Sequence, residues 1–201
     1  MTLAVREALT SAALVLSLAL GTSACSGGDE DPPAPGESSV PAQATEDATT
    51  FEIQTRTTIG KQVCKLDKGD PRKLSETITG IVQRWFNAAY VGGDYPRSDF
   101  HDAFPGFTPG ARDRAQQDRL LMTNKGIGAR VDDVTPTESR LWLDVLAVRK
   151  KAVGVTARFR LKFETSGDYE RKVRVHGRLL LSRQEGGWKI FGYDVARGGR
   201  A

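Results

Sequence analysis

The alternation of apolar and polar residues in the last third of the chain constrains the fold most strongly. Four segments alternate or are apolar on both faces, and they span residues 141–148, 153–163, 169–181 and 188–195. A two-residue period is the spacing of a β-strand that buries one face. Because only short turns separate the segments, the sequence predicts four consecutive strands paired as an antiparallel meander.

Helical spacing is found earlier in the chain. Asp70-Pro71 supplies an N-cap and a first-turn proline, and apolar residues then recur at helical spacing until Gly92-Gly93. This pattern predicts a long helix with one buried face.

A polar helix over 112–122, with Arg114 and Asp118 at i,i+4 spacing, and a strand over 51–59 complete the predicted elements. We therefore predict an α+β domain over residues 51–201, in which helices pack on a curved, cone-like antiparallel sheet.

The N-terminal segment, residues 1–24, has the features of a secretory signal peptide. Arg6 precedes an apolar run over residues 8–20 that is too short to span a bilayer. The sequence therefore predicts export from the cytoplasm.

The residues at the end of this signal, Thr22-Ser23-Ala24-Cys25, resemble the cleavage box of bacterial lipoproteins, with Thr22 where Leu, Val or Ile is usual. The resemblance implies cleavage before Cys25 and acylation of its thiol, for example with palmitate. The protein would then be lipid-anchored at the extracytoplasmic face of the membrane. Alternatively, an ordinary signal peptidase would cut the same bond and release a secreted protein with an unmodified Cys25.

Charge divides the rest of the chain into two parts. Residues 25–50 hold six acidic residues and no basic one, and with few apolar side chains they are expected to form a disordered acidic linker. Residues 51–201 hold 28 Lys and Arg against 18 Asp and Glu. Such a basic domain attracts polyanions, which include anionic lipid headgroups and acidic wall polymers.

Much of this positive charge falls on the outward positions of two predicted strands. A three-residue loop over 166–168 would place like charges opposite one another, for example Lys162 opposite Lys172, at a cost in stability. Two interpretations remain open: this face meets an anionic surface, or it is a solvated face that keeps the domain soluble. The outward cations are Arg158, Arg160, Lys162, Lys172, Arg174 and Arg178, with His176 among them.

Aromatic residues are concentrated over residues 85–107, from the end of the first predicted helix into the loop that follows it. They either form the lip of an apolar pocket for a small molecule or fill a satellite core beneath a long loop. The candidate pocket residues are Trp85, Tyr90, Tyr95, Phe100, Phe104 and Phe107.

Catalytic signatures are lacking in the sequence. Two cysteines and two histidines are too few for the usual metal sites, so neither a metal nor another cofactor is expected. Cys64 is expected to be a small buried residue or, alternatively, a reactive thiol. His101 and His176 are typical of surface positions, whereas Asp144 and Asp194 are the acids that could point into a cone. Nucleic acid is not expected as a partner, because the aromatic residues lie away from the basic strands.

The order of elements, with helices first and a meander last, resembles the nuclear transport factor 2-like fold that polyketide cyclases and ketosteroid isomerase share. The segment over residues 188–195, WKIFGYDV, is similar to the last strand of that family. The resemblance covers residues 74–195 and is nearest to extracytoplasmic, mammalian-cell-entry-associated members, whose roles are accessory. The strand over 51–59 and the lack of a strand pair between the helices depart from the enzymes, so the chemistry of those enzymes is not carried over.

We therefore expect a membrane-anchored extracytoplasmic lipoprotein with a non-catalytic, ligand-binding or envelope-accessory role. The alternative is a cone-fold enzyme with isomerase-like or cyclase-like acid–base chemistry in an apolar pocket.

Overall fold

The computed structural model describes residues 54–63, 66–68 and 70–200. The predictions for the rest of the chain stay predictions. They concern the signal peptide over 1–24, the acylation of Cys25, the linker over 25–50 and the role of Cys64, all of which lie outside the described residues.

A five-stranded sheet in the order β1-β2-β3-β4-β5 dominates the fold. Strands β2 to β5 form an antiparallel meander, as predicted. Strand β1 pairs in parallel with β2, so the sheet is mixed and not purely antiparallel. This pairing is possible because the helices lie between β1 and β2 in sequence and provide the long crossover that a parallel pair needs. The strands are β1 (Arg56–Val63), β2 (Val134–Val148), β3 (Lys151–Thr165), β4 (Arg171–Gln184) and β5 (Gly187–Arg200).

The predicted long helix is present as α1 (Asp70–Phe86) and continues as a π turn over Asn87–Val91. The predicted polar helix is wrong as a single element, because it divides at Asp118 into α2 (Pro109–Gln117) and α3 (Arg119–Met122).

Tyr193 of β5 contacts the helical segment at this division. Its hydroxyl donates to the Asp118 carboxylate at 2.7 Å, and the Arg114 guanidinium lies 5.7 Å from the centre of its ring. Arg114 and Asp118 therefore contact β5 and do not form the i,i+4 pair that their spacing predicts.

The three helices lie on one face of the sheet, which we call the inner face. Trp85, Phe86 and the inward residues of β2 to β5 form one apolar core with the buried side of α1. The protein is therefore α+β, as predicted, with an open sheet whose edges are β1 and β5. The opposite face, which we call the outer face, carries no helix in the part of the chain that the structure describes.

Candidate functional site

The structure places all the predicted outward cations on the outer face. Arg158, Arg160 and Lys162 of β3 alternate with the buried Phe159 and Leu161, which face the helices. The cations of β4 alternate in the same way with its buried residues. Because a strand has a two-residue period, this facing follows directly from the sequence.

The predicted pairing of these strands is wrong by two residues. Lys162 lies opposite Arg174 instead of Lys172, and Lys172 lies opposite Glu164. The connection contains five residues, 166–170, instead of three, because β3 extends to Thr165 and β4 begins only at Arg171.

Hydrogen bonds explain the longer connection. The Thr165 hydroxyl accepts from the backbone N–H of Arg171 at 3.0 Å and closes the loop from one side. The backbone N–H of Tyr169 donates to the Arg130 carbonyl, and that of Asp132 donates to the Ser166 carbonyl. The loop is thus fixed to the segment before β2, which lies far away in sequence.

Glu138 of β2 lies at the centre of three cations on the outer face. Its carboxylate is 2.8 Å from Lys162 Nζ, 3.3 Å from Arg140 Nε and 3.5 Å from Arg160 Nε. The hydrogen bond from Lys162 is the main reason that the pKa of Glu138 lies below its usual value. This carboxylate compensates the like charges that face one another across β2 and β3.

Two acids that could have pointed into a cone lie instead on the outer face. Asp144 accepts from the backbone N–H of Lys61 at 3.0 Å and from Arg158 Nε at 3.1 Å, and the first of these bonds is the main reason for its lowered pKa. Asp194 lies 3.1 Å from Arg178. Both carboxylates are therefore part of the surface charge pattern, because their strand positions have outward parity.

Arg174 differs from the neighbouring cations. Arg158, Arg160, Lys162, Lys172 and Arg178 each lie within 4.0 Å of a carboxylate. Within the described residues, no carboxylate lies that close to Arg174. Among the six predicted cations, Arg174 is therefore the one without an ion pair to a described carboxylate.

Two depressions in the outer face meet at Arg174 and His176, which line both of them. The first has a volume of about 460 Å³ and is bordered by Trp142. The Arg160 guanidinium lies 5.5 Å from the centre of the Trp142 ring, which is a cation–π arrangement. The second has a volume of about 480 Å³ and reaches Gly198 of β5. The uncompensated arginine thus lies where a ligand has space to bind.

The candidate pocket aromatics form a packed cluster. The Trp85 ring is completely buried, and its centre lies 5.3–6.0 Å from the rings of Phe86, Tyr90, Phe107 and Phe159. The rings therefore fill the space among themselves, and they belong to the one apolar core and not to a separate satellite core. The same packing includes Phe104, whereas Phe100 is covered by Arg97 at 4.3 Å and Tyr95 is only partly buried.

A buried polar network that the sequence did not predict lies beside this cluster. Asn124 is fully buried, and its Nδ2 donates to the Tyr90 carbonyl at 2.8 Å and to the Tyr95 hydroxyl at 3.0 Å. Its Oδ1 accepts from Arg197 Nη2 at 3.0 Å, and Arg197 Nη1 donates to the Thr123 carbonyl at 2.9 Å. Burial lowers the pKa of Arg197. The signal in the sequence for this network was the position of Arg197, which falls on the inner face of β5, opposite the buried Val175.

The π turn after α1 positions this network. Because the helical segment ends at Val91, its last carbonyls have no helical partner, and the Ala89 carbonyl accepts from the backbone N–H of Asn124 at 2.9 Å. The Tyr90 carbonyl accepts from the Tyr95 hydroxyl at 2.7 Å. The network therefore holds the π turn against the segment after α3.

The two histidines lie on the surface. His101 is exposed, and its Nδ1 lies 3.1 Å from Asp102 Oδ1. His176 lies on the outer face beside Arg174. No group of three or more His, Cys, Asp or Glu residues with the arrangement of a metal site occurs within 54–63, 66–68 and 70–200.

None of the described helices combines the length and the apolar character needed to cross a membrane. Comparisons of the chain with protein-family models, with curated proteins and with solved structures found no match.

Proposed function

We propose that the chain is an extracytoplasmic lipoprotein, anchored to the bacterial membrane by an acyl chain on Cys25, with a non-catalytic, ligand-binding or envelope-accessory role. In this proposal the domain is of the nuclear transport factor 2-like kind, and its outer face binds an anionic component of the envelope. The cleavage box ending at Cys25 and the acidic linker over 25–50 support the anchor.

The observation that carries the proposal is the arrangement of charge on the outer face. Cations from β3 and β4 lie side by side on a helix-free surface, and the charge of Arg174 is not compensated by a nearby carboxylate of the described chain. A positive surface that tolerates opposed like charges is favoured where an anionic partner offsets their repulsion.

The competing function, a cone-fold enzyme, requires an acid or base inside an apolar pocket. Asp144 and Asp194 lie on the outer face in ion pairs, and the candidate pocket aromatics pack against one another. These placements favour the binding role.

The anionic-surface proposal can be tested by co-sedimentation with phosphatidylcholine vesicles that contain or lack phosphatidylglycerol. The protein is a chain without residues 1–24 that carries Cys25→Ser, so that no acyl group contributes. This chain keeps the whole apolar core, because the buried residues and those packed against them lie between Ile59 and Val195. We expect binding to the anionic vesicles only, and weaker binding as salt is added.

The doubly charge-reversed variant Arg160→Glu plus Arg174→Glu should bind the anionic vesicles at least about tenfold more weakly, because each cation near such a surface contributes about 1 kcal/mol. The control is Arg112→Glu plus Arg119→Glu, which makes the same change in net charge on exposed helix positions. Equal losses in the two double variants would show that net charge alone drives binding and would contradict a role for the outer face.

The anchor is tested separately by mass spectrometry of the mature protein from a bacterial host with a lipoprotein pathway. We expect an N-terminal Cys25 that carries acyl chains, and an unmodified Cys25 would contradict the anchor.

A further inference from the structure

The two depressions that meet at Arg174 form one elongated groove. Lys172, Arg174, His176 and Arg178 follow one another along the outer side of β4, and all four line the depressions. Alternate residues of a strand are about 6.6 Å apart, so the groove is on the order of 20 Å long. It therefore presents a row of positive or protonatable groups and not a single charge.

Small residues of β5 create the space in this groove. Gly198 lies opposite Arg174, and Ala196 lies opposite His176. A Cβ atom built on Gly198 meets no atom within 4 Å, and the backbone φ of Gly198 is not in the left-handed region. The side of Arg174 that faces β5 is thus open. On the opposite side of Arg174 lies Lys162 of β3.

We infer that this groove is a binding site for a phosphodiester-bearing chain, with Arg174 as its main anion-binding residue. The inference deepens the proposed function by naming the ligand chemistry of the outer face. Arg174 donates two parallel hydrogen bonds to the two unesterified oxygens of one phosphate group, and His176 lies beside it, two residues along β4. Lys162, opposite Arg174 on β3, adds positive charge, but its Nζ is already 2.8 Å from Glu138. Each of these two oxygens accepts more than one hydrogen bond, so that further donors along β4 can share the same phosphate.

Neighbouring repeats of the chain extend along β4 toward Lys172 and Arg178. These two cations already lie 3.1 Å from Glu164 and Asp194, so they contribute less than Arg174. Trp142 and Arg160 form the wall of the groove on the β2 side. We therefore expect the centre of the groove to contribute most of the binding affinity and the cations at its two ends to contribute less.

An uncharged substitution that fills the groove distinguishes binding in the groove from binding by surface charge alone. Gly198→Trp fills the open space beside Arg174 without altering the net charge, and the backbone at this position accepts a side chain without strain. Gly110→Trp is the matched control, since Gly110 in α2 is also exposed and a Cβ there meets no atom within 4 Å. Circular dichroism and thermal unfolding establish that both variants fold.

The probes are inorganic polyphosphate and phosphatidylglycerol vesicles. The inner phosphates of polyphosphate are joined by anhydride bonds, but like a phosphodiester each carries one negative charge over two unbridged oxygens. Binding of the same Cys25→Ser chain is measured by titration. We expect Gly198→Trp and Arg174→Gln each to weaken polyphosphate binding at least about tenfold, and Gly110→Trp to change it less than about twofold. Arg174→Lys should recover only part of the loss, because an ammonium group does not form the bidentate contact.

The two probes distinguish the source of the phosphate. If Gly198→Trp loses both polyphosphate and vesicle binding, the groove binds a lipid headgroup as well as a free chain. Loss of polyphosphate binding with unchanged vesicle binding assigns it to a soluble or wall-attached polymer. Both outcomes support the site.

Polyphosphate binding that Gly198→Trp and Arg174→Gln leave unchanged would overturn the inference. In that case the proposed function still stands if Arg160→Glu plus Arg174→Glu abolishes vesicle binding. A wild-type chain that binds neither probe would contradict both.

Discussion

The two faces of the sheet have the same alternating sequence pattern but different kinds of stabilising interaction. On the inner face, the aromatic rings around Trp85 pack against one another. Asn124 and Arg197 donate hydrogen bonds to buried backbone carbonyls. On the outer face, cations meet carboxylates of neighbouring strands, as Glu138 meets Lys162. The inner contacts are removed from water and therefore cost much to break, whereas the outer contacts are partly exposed and screened.

This difference indicates where the protein tolerates change. A buried group has one arrangement of partners, and its removal leaves a cavity or an unpaired polar atom. A surface cation can exchange a carboxylate for water or for an anionic ligand at little cost. The outer face is therefore the part of the domain that is free to serve binding.

The largest effect is expected for Trp85→Ala, which should lower the free energy of unfolding by about 3–5 kcal/mol because it removes the ring at the centre of the aromatic cluster. Denaturation with guanidinium chloride measures the change. Leu120→Ala is the control, since Leu120 is 65% exposed, and it should change stability by less than about 0.5 kcal/mol. A loss below about 1 kcal/mol for Trp85→Ala would mean that the ring borders open space, as in the pocket interpretation.

The next largest effect is expected for Asn124→Ala, at about 2–3 kcal/mol, because it removes the acceptor of Arg197 Nη2 and leaves the Tyr90 carbonyl with only the hydrogen bond from Tyr95. Asn87→Ala, at an exposed position of the π turn, is the matched control. A double-mutant cycle with Arg197→Met should give a coupling energy of about 1 kcal/mol or more. Strict additivity of the two substitutions would contradict a shared network.

A smaller effect, about 1–2 kcal/mol at pH 7, is expected for Glu138→Gln, because three cations lose their common carboxylate. Since the pKa of Glu138 is lowered in the folded protein, its contribution is present above the unfolded pKa of about 4.3. That contribution is lost as the pH falls from there through the folded pKa.

The difference in stability between the wild type and Glu138→Gln should therefore narrow below about pH 4, as measured by urea denaturation at pH 7 and pH 3. Arg174→Gln is the control, and its stability should lie within about 0.5 kcal/mol of the wild type, because no described carboxylate lies within 4.0 Å of Arg174. A difference for Glu138→Gln that stays constant with pH would contradict the charge contribution.

Much of the fold could be predicted from local sequence patterns. The meander and α1 follow from periods of two and of 3.6 residues, which depend only on neighbouring residues. The parallel pairing of β1 and the contact of Asp118 with Tyr193 could not be predicted in this way, because each involves a partner far away in sequence. For the candidate site, the alternation of residues along β3 and β4 predicted the cations of the outer face. Glu138 could not be placed beside them in this way, because it contacts them only through the pairing of β2 with β3.

The order of apolar and polar residues predicts which side of each strand faces the core and which side carries charge, because a strand turns alternate side chains to opposite faces whatever its partners are. Which charges lie opposite one another depends on the fold. The five-residue connection over 166–170 is fixed by hydrogen bonds to Arg130 and Asp132, and a shift of two residues preserves the faces while changing every opposing pair. That shift sets Lys162 opposite Arg174 and leaves Arg174, beside the open position at Gly198, as the centre of the groove.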